Sequence, residues 1–371
     1  MLLFGIVMIS LGSLLPALTS RFDLNEVAAG SLAVLLPFGI LAGSVVFGPI
    51  VDRYGYKFLL IVCTVLVFLS LEGMAFTASF AMVQASVFVI GFGGGVLNGA
   101  TNALVSDISS GGRGAGLSFL GVFFGLGALG MPMVLGLLSK SFSQETILAV
   151  IGAFVLLVGG FFLAIHFPVP KQPQGFPLAR GVSLVRNATL LLFGCILFFE
   201  SGMEGIVNNW TTTLLEHEGT TGMEGALFAL SCQVAGLTLA RLVLSKVFKL
   251  LSMWTVLFSG AAIVGVGTLL VIFGASYPTA LIGLTLIGIG FAPVFPAILG
   301  AIGDAFAGLS GTAFSIALVI ALIGNMGLNY LVGLIAHHHG IEQLPLVVLA
   351  SLCCMVVLLF VARRRPATAV R

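Results

Sequence analysis

Glu200, Glu204 and Asn208 recur at every fourth position of an otherwise apolar run that ends near Trp210. On a helix this spacing stacks two carboxylates and an amide on one face. Two carboxylates one turn apart repel when both are ionised, so the pair suits uptake of a proton or a small cation. The plainer alternative is hydrogen bonding to a neighbouring helix. Asn98 and Asn102 form an i, i+4 amide pair in another apolar run, Asn325 and Asn329 form a second, and Gln233 lies in a further one. Amides offer donors and acceptors without charge, which a neutral polar ligand requires, and they also serve as glue between helices. Glu72 is the third acid within an apolar run, where a packing role is favoured, and Gln84 is a weaker candidate. No Lys or Arg is expected at the depth of the three acids.

Other chemistry finds no support. There is no Gly-Lys-Ser/Thr phosphate loop, zinc-binding helix motif or serine elbow, so an enzyme reading would rest on Glu200 and Glu204 alone. No cofactor or metal is expected. His337, His338 and His339 read as a solvated outer turn. The five cysteines, Cys63, Cys195, Cys232, Cys353 and Cys354, all fall in apolar runs and read as buried free thiols. The net charge is +2 with no basic, aromatic-laced stripe, which excludes nucleic acid as a partner.

The elements that position these residues follow from composition. Hydrophobic residues make up 59% of the 371 positions and charged residues 8%, against about 25% charged in soluble domains. Only a lipid surround tolerates so few charges. Runs of about 20 apolar residues, enough to cross ~30 Å of hydrocarbon, predict twelve helical spans: 1–18, 29–51, 58–77, 80–105, 113–138, 145–166, 189–213, 223–244, 252–274, 278–303, 309–335 and 344–362. The first lacks the basic start of a signal peptide; the chain begins almost inside it, so a few residues are expected upstream. Alternate loops carry thirteen Lys and Arg on one side and two, Arg21 and Lys140, on the other. That asymmetry predicts both termini in the cytoplasm. The stretch 167–188, with Pro168, Pro170, Pro173 and Pro177, reads as a cytoplasmic linker between six-helix halves at 1–166 and 189–371.

The halves also match in sequence. Shifting 91–136 by 197 positions onto 288–333 matches eleven of 46 residues, among them Gly91/Gly288, Asp107/Asp304, Gly114/Gly311, Ser118/Ser315 and Gly130/Gly327. A shift of 188 aligns Gly48/Gly236 and Arg53/Arg241. Duplicated halves around a central cavity are a recurring transporter plan.

Between the second and third spans stand Gly48, Asp52, Arg53, Gly55 and Lys57 in the order Gly-x3-Asp-Arg-x-Gly-x-Lys. This motif resembles the signature of the major facilitator superfamily, in the loop that family uses. Gly48 permits close helix contact and Gly55 a tight turn. Asp52 can cap a helix or pair with a cation when a cytoplasmic gate closes, with Arg113 and Arg241 as candidate partners. Three further stretches resemble the fucose/proton symporter and sodium-glucose carrier branch. They are Gly91 to Asn102 in the fourth span, Gly202-Met-Glu204 with Trp210 in the seventh, and Phe291-Ala-Pro293-Val-Phe295-Pro296 in the tenth. The Gly-rich fifth span, with Pro132 as a candidate hinge, resembles the antiporter signature imperfectly, since Met131 separates Gly130 from Pro132.

The resemblance implies an all-α integral membrane fold of two six-helix bundles, acting as a secondary transporter by alternating access. It places the fourth and seventh spans at the cavity. Asn98, Asn102, Glu204, Asn208, Trp210, Gln233, Phe295, Asn325 and Asn329 are then candidates for binding a sugar-like, uncharged solute, with Trp210 or Phe295 stacking on a sugar face. Glu200 and Glu204 are candidates for coupling to H⁺ or Na⁺. The resembled symporters carry acids where this chain has Ser10, Gly12 and Ser13 in the first span and Asn98 in the fourth, so a proton would take another route here. Proton-driven efflux of amphipathic compounds is the alternative, and a non-transporting receptor of the same fold is a third. A monomer in the bacterial inner membrane is expected.

Overall fold

A computed structural model describes the chain except for residues 110–111, 139–140, 176, 218–220, 275 and 365–371. Lys140, Arg365 and Arg371, which entered the charge asymmetry, lie outside the described residues, as do the side chains of Ser13 and Pro132.

The described chain is helical from end to end. The first six spans are α1 (Leu2–Phe22), α2 (Glu26–Tyr54), α3 (Tyr56–Phe76), α4 (Phe80–Ile108), α5 (Arg113–Leu138) and α6 (Gln144–Ala164). A short α7 (Leu178–Leu184) lies in the predicted linker. Then follow α8 (Ala188–His217), α9 (Met223–Leu250), α10 (Met253–Phe273), α11 (Tyr277–Phe291), α12 (Val294–Ala305), α13 (Ser310–His339) and α14 (Leu344–Arg364). Among the described residues, eleven spans are long and apolar enough to cross a membrane, with α11 and α12 as one, and α1 contributes a shorter apolar stretch, Leu2–Leu11.

Helix starts follow side-chain chemistry. Asn25 Oδ1 accepts from Ala28 N at 2.8 Å, and Ser143 and Ser252 hydroxyls accept from Thr146 N and Thr255 N at 3.3 and 3.2 Å, satisfying first-turn donors that no helical carbonyl reaches. Between α2 and α3 a single residue turns the chain. Gly55 does so at φ +81°, ψ 177°, a region that only glycine enters freely.

The tenth span is one apolar stretch, Tyr277–Ala305, whose helix is interrupted at Ala292–Pro293, where Pro293 lacks an amide hydrogen. Two expectations are corrected. The three histidines form the last turn of α13, since that helix runs on through His339. Of the free cysteines Cys63 alone is buried, while Cys195, Cys353 and Cys354 are exposed. Membrane helices are apolar all round, so an apolar run does not reveal which face a thiol takes.

The residues group into two compact units. The first comprises Met1–Leu104, Phe123–Gly181 and Gly308–Ser315; the second comprises Val105–Val122, Val182–Ala307 and Ile316–Arg371. In the first, α3 packs on α6 and α2 on α4; in the second, α11 packs on α9 and α10, and α8 on α9 and α14. Repeated glycines do equivalent work in each. A Cβ on Gly91 would run into Leu36 O of α2, and one on Gly288 into Gln233 O of α9. Such backbone-to-backbone approach is how membrane helices gain packing where lipid offers no hydrophobic drive.

Candidate functional site

In the first unit, Asp52 in the last turn of α2 lies against the start of α13. Asp52 is 1% exposed. Its Oδ1 accepts from Gly311 N at 3.1 Å, and its Oδ2 accepts from Thr312 N at 2.8 Å and Thr312 Oγ1 at 2.6 Å. A carboxylate is thus seated on a helix N-terminus, where unpaired N–H groups and the helix dipole favour negative charge. Around it, Ser315 Oγ donates to Ser44 O and Val45 O, Gly48 lies against Gly311 and Ser315, and Lys171 Nζ donates to Ser310 Oγ.

The expected cationic partners are elsewhere. Arg113 is paired with Asp304 of α12 and donates from Nε to Ser106 O at 2.8 Å in the second unit. Arg241 lies inside α9. The helix terminus already supplies donors to Asp52, so no guanidinium is needed. Arg53 is exposed, with its guanidinium 5.0 Å from the Tyr54 ring centre, and Lys57 Nζ donates to Leu163 O at 2.8 Å.

The amides of the first unit are mutually engaged. Asn102 Nδ2 donates to Asn98 O and Asn98 Oδ1, both at 2.9 Å. Gln84 Nε2 donates to Ser31 Oγ at 3.0 Å, tying α4 to α2. Glu72 packs against Gly152 of α6.

The second unit holds two polar clusters. In the outer one, Asn329 Oδ1 accepts from Asn209 Nδ2 at 3.0 Å and Trp210 Nε1 at 3.2 Å, and Asn325 Nδ2 donates to Ser201 O at 2.8 Å. These bonds join α8 to α13, with Gly205 giving Asn325 and Asn329 room. Phe295 is half-buried in the first turn of α12. Asn209 was missed in the sequence, because its neighbour Asn208 carries the i, i+4 stripe.

The inner cluster is unsatisfied. Glu200 is fully buried, and neither carboxylate oxygen has a hydrogen-bond partner among the described residues. The same holds for both amide atoms of Gln233, for Asn208 Oδ1 and for Arg241 Nε. Orphaned buried polar groups are few in native proteins and costly. Glu204 is half-buried one turn from Glu200. Arg241, 8% exposed, is near enough for its charge to act on both carboxylates.

This corrects the expectation of no cation at their depth. α9 continues to Leu250, beyond the predicted end at 244, so Arg241 sits nine residues inside it. At 1.5 Å per residue that is about 14 Å, against about 18 Å for Glu200 within α8. Its seat was also missed. A Cβ on Gly121 of α5 would stand 2.8 Å from Arg241 Cδ and 2.9 Å from Nη1, so the arginine occupies the space a side chain would fill.

Comparison with known proteins identifies the family and the fold. The profile of the Major Facilitator Superfamily matches residues 1–326. A transporter of Sinorhizobium fredii, y4wD, whose activity is uncharacterised, is 23% identical over 317 residues, covering 80% of this chain and 78% of that one. FucP, a transporter crystallised in its outward conformation, is 19% identical with a TM-score of 0.82, covering 98% of this chain and 97% of that one. The proton:xylose symporter XylE is 16% identical with a TM-score of 0.77, covering 97% and 92%.

Proposed function

Since the chain belongs to the Major Facilitator Superfamily, we propose that it is a secondary transporter moving a small, polar, uncharged solute by alternating access, with cation coupling at Glu200 and Glu204. The observation that carries this is the inner cluster. Buried donors and acceptors left without partners in a lipid-solvated protein mark a place for a ligand or ion. A sugar-like solute is favoured because the surrounding candidates are mostly amides. Two proteins of like fold, the E. coli fucose:proton symporter FucP and XylE, carry sugars with protons.

In this reading the Asp52–Thr312 and Arg113–Asp304 contacts are made in one access state and broken in the other. Ser10 cannot carry a proton for the cycle, and its hydroxyl is spent on Val7 O at 2.7 Å. The task then falls to the acids of α8. In the same reading both contacts lie on the cytoplasmic side of a bacterial inner membrane, which the charge asymmetry supports.

Uptake of labelled hexoses and deoxyhexoses into proteoliposomes tests this. Saturable uptake should be driven by an inward proton or Na⁺ gradient, and Glu204→Gln should abolish accumulation against the solute gradient. Accumulation that survives the substitution rejects coupling at Glu204. Efflux of amphipathic compounds is the second reading. It is favoured by an open groove of about 690 Å³ among α8, α13 and α14, apolar at Phe199, Leu328 and Leu346 and polar at His339 and Gln343. Protection from heat by lipophilic cations and by no sugar would select it.

A further inference from the structure

We propose that Glu200, Glu204 and Arg241 form a charge-counted site that takes up one monovalent cation, a proton or Na⁺. This deepens the coupling reading above and rests on it. With both acids ionised, the three side chains sum to one net negative charge. A buried net charge is unfavourable and a neutral cluster is not. One bound cation brings the sum to zero, and a second would overshoot it. The guanidinium thereby sets the count. Two acids alone would call for two cations, and one acid beside an arginine would call for none.

The geometry fits such a site. Glu200 and Glu204 lie one turn apart on α8, and Arg241 of α9, which packs on α8, is near enough for its charge to act on both while making no hydrogen bond to Glu200. Both Glu200 oxygens are unpartnered among the described residues, leaving acceptors for an ion. The arginine is held from behind by the side-chain-free surface at Gly121. Other charged or titratable groups stand on the elements around α8: Cys232, Glu224, Lys246 and Lys249 on α9, Asp304 on α12, Tyr330 and His337 to His339 on α13, Glu342 beside it, and Cys353, Cys354, Arg363 and Arg364 on α14. Asp304 is taken by Arg113, and Glu342 lies 3.2 Å from His217. Arg241 is the cation that acts on the pair.

When the cation is a proton, it bonds to one carboxylate oxygen and produces a carboxylic acid whose C=O stretch is visible in the infrared. Lipid-reconstituted protein is perfused between alkaline and acid buffer, and the band is compared among variants. The wild type should gain one carboxyl per chain from this cluster. Glu200→Gln and Glu204→Gln should each lose that band, because the charge of the remaining acid is balanced by that of Arg241. Arg241→Gln should double it, Arg241→Lys should leave it single, and Glu200→Gln with Arg241→Gln should restore it to one. Replacing K⁺ by Na⁺ separates the two cations: a band that Na⁺ suppresses identifies Na⁺ as a competitor for the site.

A band that persists in both single glutamine variants overturns the proposal, and that pair decides the matter even if Arg241→Gln fails to fold. Unchanged intensity in a folded Arg241→Gln also overturns it. If the band pattern holds while gradient-driven uptake survives Glu204→Gln, the site stands and the coupling reading fails. If uptake is lost but the pattern is absent, coupling stands and the charge count fails.

Discussion

Replacing Asp52 by alanine should loosen the first turn of α13 by about 3 kcal/mol, because three donors lose one buried acceptor group at once. Gly311 N, Thr312 N and Thr312 Oγ1 all point at the carboxylate, and no water-facing alternative is open to groups this buried. At about 1.4 kcal/mol per decade, amide exchange over 308–315 should accelerate roughly a hundredfold. Asp52→Asn keeps an acceptor oxygen but loses the charge that the helix terminus favours, and should fall between. Thr312→Ala removes the hydroxyl bond alone and should cost least. Transport should fail with Asp52→Ala, since the access state that uses this contact is depopulated. Wild-type exchange rates in the alanine variant would show that the bonds contribute nothing.

Leucine at position 288 should prevent folding, at a cost of about 4 kcal/mol or more, among the largest single-substitution effects. A side chain there meets Gln233 O of α9, and a backbone cannot swing aside as a side chain can. Separating α9 from α11 would also unseat the helix that holds Gln233 and Arg241. Gly91→Leu should behave alike through Leu36 O of α2. The control lies within the same repeat. Gly327, matched in sequence to Gly130, has nothing within 4 Å of its would-be Cβ, so Gly327→Leu should be tolerated and even gain helix propensity. Yield of monodisperse protein and unfolding temperature report the contrast. Equal tolerance at 288 and 327 would show that close approach is not what the repeat preserves.

The pattern of apolar spans and the signature loop were legible because each rests on composition or on a fixed motif. Facing was not. A soluble helix announces its buried side by polarity, whereas here Gly288 and Gly327 look identical until a neighbour is placed beside one of them. The same gap explains the site. The Glu200, Glu204, Asn208 stripe is visible as a spacing, but the arginine opposite it looked like a loop residue because it stands near the end of a run whose helix continues past the apolar part. Asp52 was identified, but its partner was sought among cations. The acceptor-hungry end of α13 leaves no mark in the residue types. The amides that looked most like ligand contacts, Asn98 with Asn102 and Asn325 with Asn329, were found bonded to one another or across a helix pair.

The distribution of thiols makes the chain chemically lopsided. Cys195, Cys353 and Cys354 are exposed, and all three belong to the second unit, while the first unit's Cys63 is sealed at 1% exposure. A maleimide dissolved in the hydrocarbon phase therefore meets one half of the molecule only. Cys195 lies five residues before Glu200 on the same helix, so with Cys232, Cys353 and Cys354 replaced, a reporter attached there watches the proposed ion site through a native thiol, with no cysteine introduced.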